Sequence, residues 1–136
     1  MRFKPVGSCK AYSPSHITGL FEICLRPGDP LRSGSRGAGV CLSRGAVAYV
    51  EARPSDRWRW DVRAEGGPAA IDIISELVSS YKALAPPHEV SVKLSMDAPI
   101  GCGFGVSGAV ALSSSLALNE ALGAGLSEVE AAQIAH

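Results

Sequence analysis

Three glycines at alternate positions constrain this chain more than any other feature. They lie between a segment in which polar and apolar residues alternate and a segment with an apolar helical pattern. Gly101, Gly103 and Gly105 lie within the segment 99–108. Residues without a Cβ atom can take positive φ and allow the backbone to approach a ligand closely. The segment leads into a predicted helix, whose first N–H groups attract anions, and Ser107 adds a hydroxyl there. The pattern predicts a polyphosphate-binding loop; the alternative is a tight strand-to-helix turn without a ligand.

Two other glycine-rich phosphate loops have different requirements. The P-loop, G-x-x-x-x-G-K-[ST], needs a Gly-Lys pair, which this chain lacks. The dinucleotide fingerprint G-x-G-x-x-G does match at Gly103, Gly105 and Gly108. However, the preceding segment alternates, with Lys93 and Asp97 on a polar face, whereas a Rossmann loop follows a continuously apolar parallel strand. We therefore do not expect an NAD-type site.

The first half of the chain is typical of β-strands. We predict a strand over 10–23 with a turn at Ser13–Ser15, a loop over 25–39, and strand pairing over 38–51 around Ser43–Gly45. In the segment 57–65 the tryptophans and Val62 share one face and charged residues share the other. This alternation predicts a half-exposed antiparallel strand. Nucleic-acid stacking by the same arginines and tryptophans is the less favoured interpretation.

The second half predicts three helices and one strand. They are a helix from Pro68 to the pair Pro86-Pro87, an alternating strand over 88–97, a helix from the loop to about Leu122 with Gly123 as its stop, and a helix begun by the capping box Ser127–Glu130. The apolar stripe of the first helix comprises Ala70, Ile74, Leu77, Val78, Tyr81 and Leu84. Because the last helical pattern continues to His136 without a stop signal, we expect the chain to be cut short.

Composition favours a folded protein without a strongly charged partner. Hydrophobic residues make up 46% and charged residues 19%, and 13 basic side chains balance 13 acidic ones. No global field attracts nucleic acid or an anionic membrane, and no apolar run is long enough to span a bilayer. The four cysteines are widely spaced, which favours reduced thiols over a metal site. We expect a cytoplasmic protein with neither nucleic acid nor membrane as its partner.

The glycine segment resembles a motif of the GHMP kinase superfamily, P-x-x-x-G-x-G-S-S-A. Five residues fit it, namely Pro99, Gly103, Gly105, Ser107 and Ala109. The segment Ser13–Gly19 resembles the first motif of the superfamily, with His16 where many members carry lysine. These two segments, together with Asp29–Val40, are similar to the archaeal pantoate kinase family over most of the chain.

The resemblance implies an α+β fold of the ribosomal protein S5 domain 2-like kind. Residues 1–136 would form an incomplete N-terminal, ATP-binding domain, without the second α/β domain that normally follows. The implied activity is transfer of a phosphoryl group from ATP, with Mg²⁺, to pantoate, giving 4-phosphopantoate for coenzyme A biosynthesis. The implied catalytic Glu and Asp lie beyond His136, so we expect this chain alone to be inactive. A homodimer is left open.

The resemblance also implies site residues. Nucleotide contacts are expected from Pro99, Gly101, Gly103, Phe104, Gly105, Val106, Ser107 and Gly108. Ser107 is the expected contact to Mg²⁺, and the residues expected to bind pantoate are His16, Ser33, Ser35, Arg36 and His136. Two alternatives stay open: a GHMP kinase acting on another small alcohol, such as mevalonate or homoserine, and a non-catalytic S5-like module that binds RNA or a protein.

Overall fold

The fold is built on one mixed sheet. A computed structural model describes residues 7–65 and 67–136. Its four strands are β1 (Gly7–Cys24), β2 (Gly34–Pro54), β3 (Arg59–Ala64) and β4 (His88–Met96). They lie in the order β1-β2-β4-β3, in which β2 is antiparallel to both of its neighbours and β3 is parallel to β4.

Three α-helices accompany this sheet, and the first two pack against it. They are α1 (Pro68–Tyr81), α2 (Val106–Leu122) and α3 (Glu128–Ala135). The central helix α2 contacts β1 and β2 beneath it and lies beside both α1 and α3. The core comprises alternate residues of β2 and β4 and the buried sides of α1 and α2, including Ala48, Val50, Val92, Ile74 and Leu118. The predicted combination of strands and helices is thereby confirmed as a mixed α/β fold.

The edge strand β3 corrects one prediction. The half-exposed alternation is present, with Arg59, Asp61 and Arg63 exposed and Val62 partly buried. The predicted antiparallel pairing is wrong, because the strand pairs only with β4 and in parallel. The crossover helix α1 brings the chain back in the same direction, which period-two alternation cannot reveal.

The two tryptophans of this segment make contacts within the fold. Trp58 packs against the core, with its ring centroid 5.8 Å from that of His88. The indole N–H of Trp60 donates to Ser75 Oγ at 3.3 Å, and Lys82 Nζ lies 4.3 Å from its ring centroid. These contacts support the strand interpretation of this segment.

The long hairpin of β1 and β2 corrects the predicted turns. Neither Ser13–Ser15 nor Ser43–Gly45 is a turn, since both strands continue through these positions. Instead, the pairing register shifts between Pro14 and His16, and a Cβ atom on Gly45 would collide with the carbonyl of Ser13. The glycine therefore permits close approach of two strands. The predicted loop over 25–39 is also too long, because strand pairing already begins at Gly34 opposite Cys24.

The helix boundaries mostly follow the local signals. Pro68 begins α1, Gly123 ends α2 with φ +63°, and Ser127 and Glu130 form the predicted capping box. The exception is that α1 ends at Tyr81, so Leu84 is not part of its buried stripe and is 44% exposed. Among the helices that the structure describes, none combines the length and apolarity needed to cross a membrane.

Candidate functional site

The glycine loop connects the end of β4 to the start of α2, as predicted. Gly101, Gly103 and Gly105 have φ values of +90°, +84° and +61°, which side-chain-bearing residues rarely adopt. Nothing lies within 4 Å of the positions that Cβ atoms on Gly101 or Gly103 would occupy. Pro99 and Phe104 are exposed as well. The backbone of the loop is therefore open to a ligand.

The start of the loop is anchored to β2. The amide of Gly45 donates to Asp97 Oδ2 at 2.9 Å, and the Asp97 amide donates to the Gly45 carbonyl at 3.0 Å. Arg44 Nη1 lies 3.3 Å from the other carboxylate oxygen. The side chain of Ile100 then packs against the core. Since its carboxylate is already bonded to β2, Asp97 has a structural role at this position.

The first turn of α2 divides its residues between core and surface. The side chain of Val106 is buried, so only its backbone can reach a ligand at the loop. Ser107 and Gly108 are exposed, and nothing lies within 4 Å of the position of a Cβ on Gly108. The unpaired N–H groups of a helix start, the exposed hydroxyl and the open glycine backbone all suit an anion.

His16 meets this loop from β1. Its amide donates to the carbonyl of Phe104 at 3.1 Å. A Cβ atom on Gly105 would collide with His16 Nδ1, so the imidazole fills the space that the glycine leaves free. Thr18 Oγ1 lies 3.2 Å from His16 Nε2. The structure thus places His16 beside the loop, although the two segments are far apart in sequence.

A cleft opens beside the start of α2, and we call it the loop cleft. It has a volume of about 380 Å³ and is lined by Ile73, Glu76, Leu77, Ser80, Ser107, Gly108, Ala111, Ile134, Ala135 and His136. Its lining therefore comes from α1, the start of α2 and the end of α3. The cleft combines apolar side chains of α1 with a helix start that suits an anion.

A second cleft lies at the tip of the β1–β2 hairpin, and we call it the hairpin cleft. It has a volume of about 770 Å³, and its lining includes Ser33, Ser35, Arg36 and His136. His136 lines the loop cleft as well, and its Nε2 lies 2.8 Å from the carbonyl oxygen of Ser33. The structure thus brings four of the five predicted acceptor-binding residues together.

The fifth residue, His16, lines a smaller recess of about 180 Å³ that shares Ser35 with the hairpin cleft. The hydroxyl of Ser33 donates to the carbonyl of Arg26 and accepts from its amide, both at 2.9 Å. Ser33 therefore shapes the cleft wall. By contrast, the described residues offer the hydroxyl of Ser35 no hydrogen bond, so it is free for a ligand.

The charge of the hairpin cleft favours an anion. Its lining contains Arg26, Arg32 and Arg36 but only one carboxylate, Glu22. Arg32 faces Asp29 at 3.6 Å, whereas Arg26 and Arg36 form no ion pair within 7–65 and 67–136. A free guanidinium binds a carboxylate with two parallel hydrogen bonds. The cleft therefore has the chemistry to hold a small carboxylic acid.

A family model described as GHMP kinases N terminal domain matches residues 69–136, which include the whole glycine loop. The chain belongs to this family. The resemblance inferred from the motifs is thereby confirmed.

Relatives of this GHMP kinase chain are similar along most of its length. A pantoate kinase of Methanocaldococcus jannaschii is 32% identical over 124 residues, covering 90% of this chain and 43% of the relative. A pantoate kinase of Thermococcus kodakarensis is 34% identical over 131 residues, covering 93% and 43%. A solved structure of a phosphotransferase related to the CoA biosynthesis pathway superposes with a TM-score of 0.81 and 32% identity, over 95% of this chain and 44% of that one. The chain spans less than half the length of these relatives.

Sequence reasoning about this GHMP kinase chain missed two parts of the site. The first is Thr18, although its position two residues after His16 places both side chains on one face of a strand. The cleft-lining residues Ile73, Glu76 and Ser80 of α1 were also missed. Their helical spacing beside the buried stripe was a usable signal, but periodicity does not say which exposed face borders a cleft.

Proposed function

We propose that this chain is the nucleotide-binding part of a kinase that phosphorylates pantoate. The full protein would transfer the terminal phosphoryl group of ATP to a pantoate hydroxyl, giving 4-phosphopantoate and ADP for coenzyme A biosynthesis. The main observation that supports this proposal is that His136 lines both the loop cleft and the hairpin cleft. A phosphate donor bound in the loop cleft and an acceptor bound in the hairpin cleft would therefore lie next to each other at His136.

The ATP assignment is supported by the shape of the glycine loop. Open backbone at Gly101, Gly103 and Gly108 leaves room for phosphate oxygens. The first turn of α2 would supply N–H donors and the Ser107 hydroxyl. The apolar side chains of Ile73 and Leu77 suit the flat adenine ring at the far wall of the loop cleft.

Mg²⁺ is proposed as the companion of the nucleotide. The described part of the chain has no group of three His, Cys, Asp or Glu side chains placed to hold a metal ion. This fits an ion that keeps several waters and binds through few protein ligands and substrate phosphates. The hydroxyl of Ser107 would be the contact from this chain. When bound, the ion would neutralise charge on the phosphates.

Pantoate is the proposed acceptor because of the positive charge of the hairpin cleft and the similarity of this chain to pantoate kinases. Arg36, with Arg26 nearby, would bind its carboxylate, and Ser35 would donate a hydrogen bond. The similarity to two pantoate kinases over 90% or more of this chain supports the same choice. Catalysis in such a site is mainly positioning and charge stabilisation, so alignment of the hydroxyl with the terminal phosphate is what these residues would supply.

Three further parts of the proposal have different grounds. The ribosomal protein S5 domain 2-like fold class rests on the motif resemblance, a cytoplasmic location rests on the composition, and a homodimer is left open. The last can be checked by sedimentation velocity of the purified protein at several concentrations.

The test uses the complete protein that contains this chain. With MgATP and an equal panel of pantoate, mevalonate and homoserine, we expect ADP release and a new phosphate monoester signal in ³¹P NMR with pantoate alone. Turnover of mevalonate or homoserine instead would assign another GHMP kinase activity. No turnover, combined with binding of RNA or a protein, would assign a non-catalytic module. The variant Ser107→Ala should bind MgATP more weakly and keep the wild-type circular dichroism spectrum.

A further inference from the structure

The segment that contains His16 is set apart from the rest of β1. The pairing register with β2 shifts once between Pro14 and His16 and again between Thr18 and Leu20. Such irregularities bend a strand and change the direction of its side chains, and they are frequent next to functional sites. We therefore expect the side chains of the short segment 16–18 to point in directions that differ from those of the regular ladder on either side.

Three contacts hold His16 at the glycine loop. Its backbone amide donates to the carbonyl of Phe104 at 3.1 Å. Its ring lies in the space where Gly105 would carry a Cβ atom. The other ring nitrogen, Nε2, lies 3.2 Å from the hydroxyl oxygen of Thr18. The first contact fixes the backbone, and the Thr18 hydroxyl is the one hydrogen-bond partner that the described residues give the ring.

The orientation of the ring and the shape of the loop depend on each other. Gly105 is the residue before α2 and has φ +61°, the left-handed conformation. Its carbonyl accepts the hydrogen bond from Ala109 that begins the helix. If the imidazole rotated away, Gly105 would lose the neighbour that packs on its Cα. The orientation of the first free N–H groups of α2 would then be less well defined.

We propose that Thr18 is a positioning residue, whose hydroxyl holds the His16 imidazole against Gly105 and thereby keeps the glycine loop in its nucleotide-binding shape. This role rests on the proposed function, since the nucleotide is taken to be ATP. It also changes the role of His16, from a contact to the acceptor into a support for the loop that binds the donor.

The test compares two variants of Thr18 in the complete protein. Thr18→Val removes the hydroxyl and keeps the branched shape, whereas Thr18→Ser keeps the hydroxyl and loses the methyl group. Ser43→Ala, which removes an exposed hydroxyl elsewhere on the same hairpin, is the matched control. Affinity for MgATP is measured by calorimetry, KM is measured for each substrate, and the ring nitrogens of His16 are observed by ¹H–¹⁵N NMR.

For Thr18→Val we expect MgATP binding to weaken by about three- to tenfold, the worth of one hydrogen bond. KM for pantoate should stay unchanged, and the His16 ring-nitrogen shifts should move. Thr18→Ser and Ser43→Ala should both bind MgATP within about twofold of the wild type, a difference of about 0.4 kcal/mol. This pattern separates a role of the hydroxyl from a role of side-chain volume.

Four outcomes would overturn the proposal. They are a rise in KM for pantoate alone, equal loss in the valine and serine variants, no change in the valine variant, and a wild type that binds no MgATP. The last would overturn the proposed function as well. A wild type that binds MgATP without phosphorylating pantoate would refute the acceptor only, and the role of Thr18 would still be decided by the affinities.

Discussion

Gly105 and Gly108 lie three positions apart, but their missing side chains serve different purposes. At Gly105 a Cβ would collide with the His16 ring, and the positive φ excludes most other residues. Gly108 lies inside α2 with helical geometry and open space around it. Nothing in the fold requires a glycine there, and the absent side chain is best explained by a ligand that approaches the helix closely.

Gly108→Ala should therefore stabilise the protein and impair its ligand binding. Replacing a helical glycine by alanine is worth about 1 kcal/mol of unfolding free energy. The new methyl group would occupy the space in which we place the nucleotide phosphates. Urea unfolding and MgATP calorimetry on one preparation measure both effects. Increased stability with unchanged affinity for MgATP would show that no ligand lies over this turn.

Gly105→Ala provides the contrasting case. The left-handed conformation costs a non-glycine residue about 1–3 kcal/mol, before any steric conflict with His16. Both unfolding free energy and MgATP affinity should fall. If Gly105→Ala were as stable as the wild type, the close packing of the imidazole on this residue would be disproved.

Arg36 lines the hairpin cleft and has no ion-pair partner among the described residues. Arg36→Ala should raise KM for pantoate by roughly tenfold to a hundredfold, since a charge-assisted hydrogen bond is worth about 1.5–3 kcal/mol. KM for MgATP should stay the same. Arg63→Ala is the matched control, because Arg63 is exposed on β3 and pairs with Asp61. Equal effects of the two substitutions would argue against a carboxylate site.

Among the elements, two buried hydroxyl groups connect all three helices. The Tyr81 hydroxyl at the end of α1 donates to the carbonyl of Ser115 at 2.9 Å and lies 3.0 Å from its Oγ. Ser115 Oγ in turn donates to the carbonyl of Ala131 in α3 at 2.6 Å. Both side chains are fully buried. The network links α1 and α3, both of which contribute residues to the lining of the loop cleft.

Tyr81→Phe should lower the free energy of unfolding by about 1–2 kcal/mol, because it leaves a buried acceptor without its donor. Tyr12→Phe, at an exposed position on β1, should have no measurable effect. Urea denaturation followed by circular dichroism compares the two. A loss no greater in Tyr81→Phe than in Tyr12→Phe would show that the network adds nothing to stability.

The same residue gives a prediction for alkaline pH. Burial raises the pKa of Tyr81 above its ordinary value of 10.0, and the Ser115 hydrogen bond opposes this shift in part. Its contribution to stability is thus fully present below about pH 10 and is lost as pH rises through the folded-state pKa. The difference between wild type and Tyr81→Phe should narrow as pH rises above about 10. A constant difference over that range would contradict the raised pKa.

At the scale of the whole molecule, the structure divides into a packed body and a hairpin arm, formed by residues 16–24 and 34–41. β4 pairs with β2 only from Ala46 onward, so the arm has two strands. Its apolar side chains are largely exposed, as in Leu20 at 69%, Phe21 at 62% and Val40 at 66%. A two-stranded hairpin without a covering layer is marginal in water.

Hydrogen exchange should separate these two parts. Amides of the arm should exchange at least about tenfold faster than those of 46–52 and 90–94, which lie in the sheet centre. Mass spectrometry of peptic fragments gives the comparison directly. Equal protection would mean that another surface covers the arm in solution, and sedimentation velocity would then show whether that surface is a second copy.

The local features of this fold could be predicted from the sequence, because each depends on neighbouring residues. Pro68 at a helix start, the capping box at Ser127 and the positive φ of the loop glycines follow from backbone sterics and short-range hydrogen bonds. The motif spacing around Ser107 similarly indicated the family. The glycine loop at the start of α2 was therefore predictable with its residues.

Long-range pairing was decided only by the tertiary structure. Alternation does not distinguish parallel from antiparallel neighbours, so it predicts the wrong pairing direction for β3. The residues Ser43–Gly45 suggest a turn, although they lie inside a continuous strand. The contact of His16 with Gly105 and the position of His136 between two clefts join segments that are distant in the chain. Such contacts depend on how the sheet and helices pack, and no local pattern records that packing.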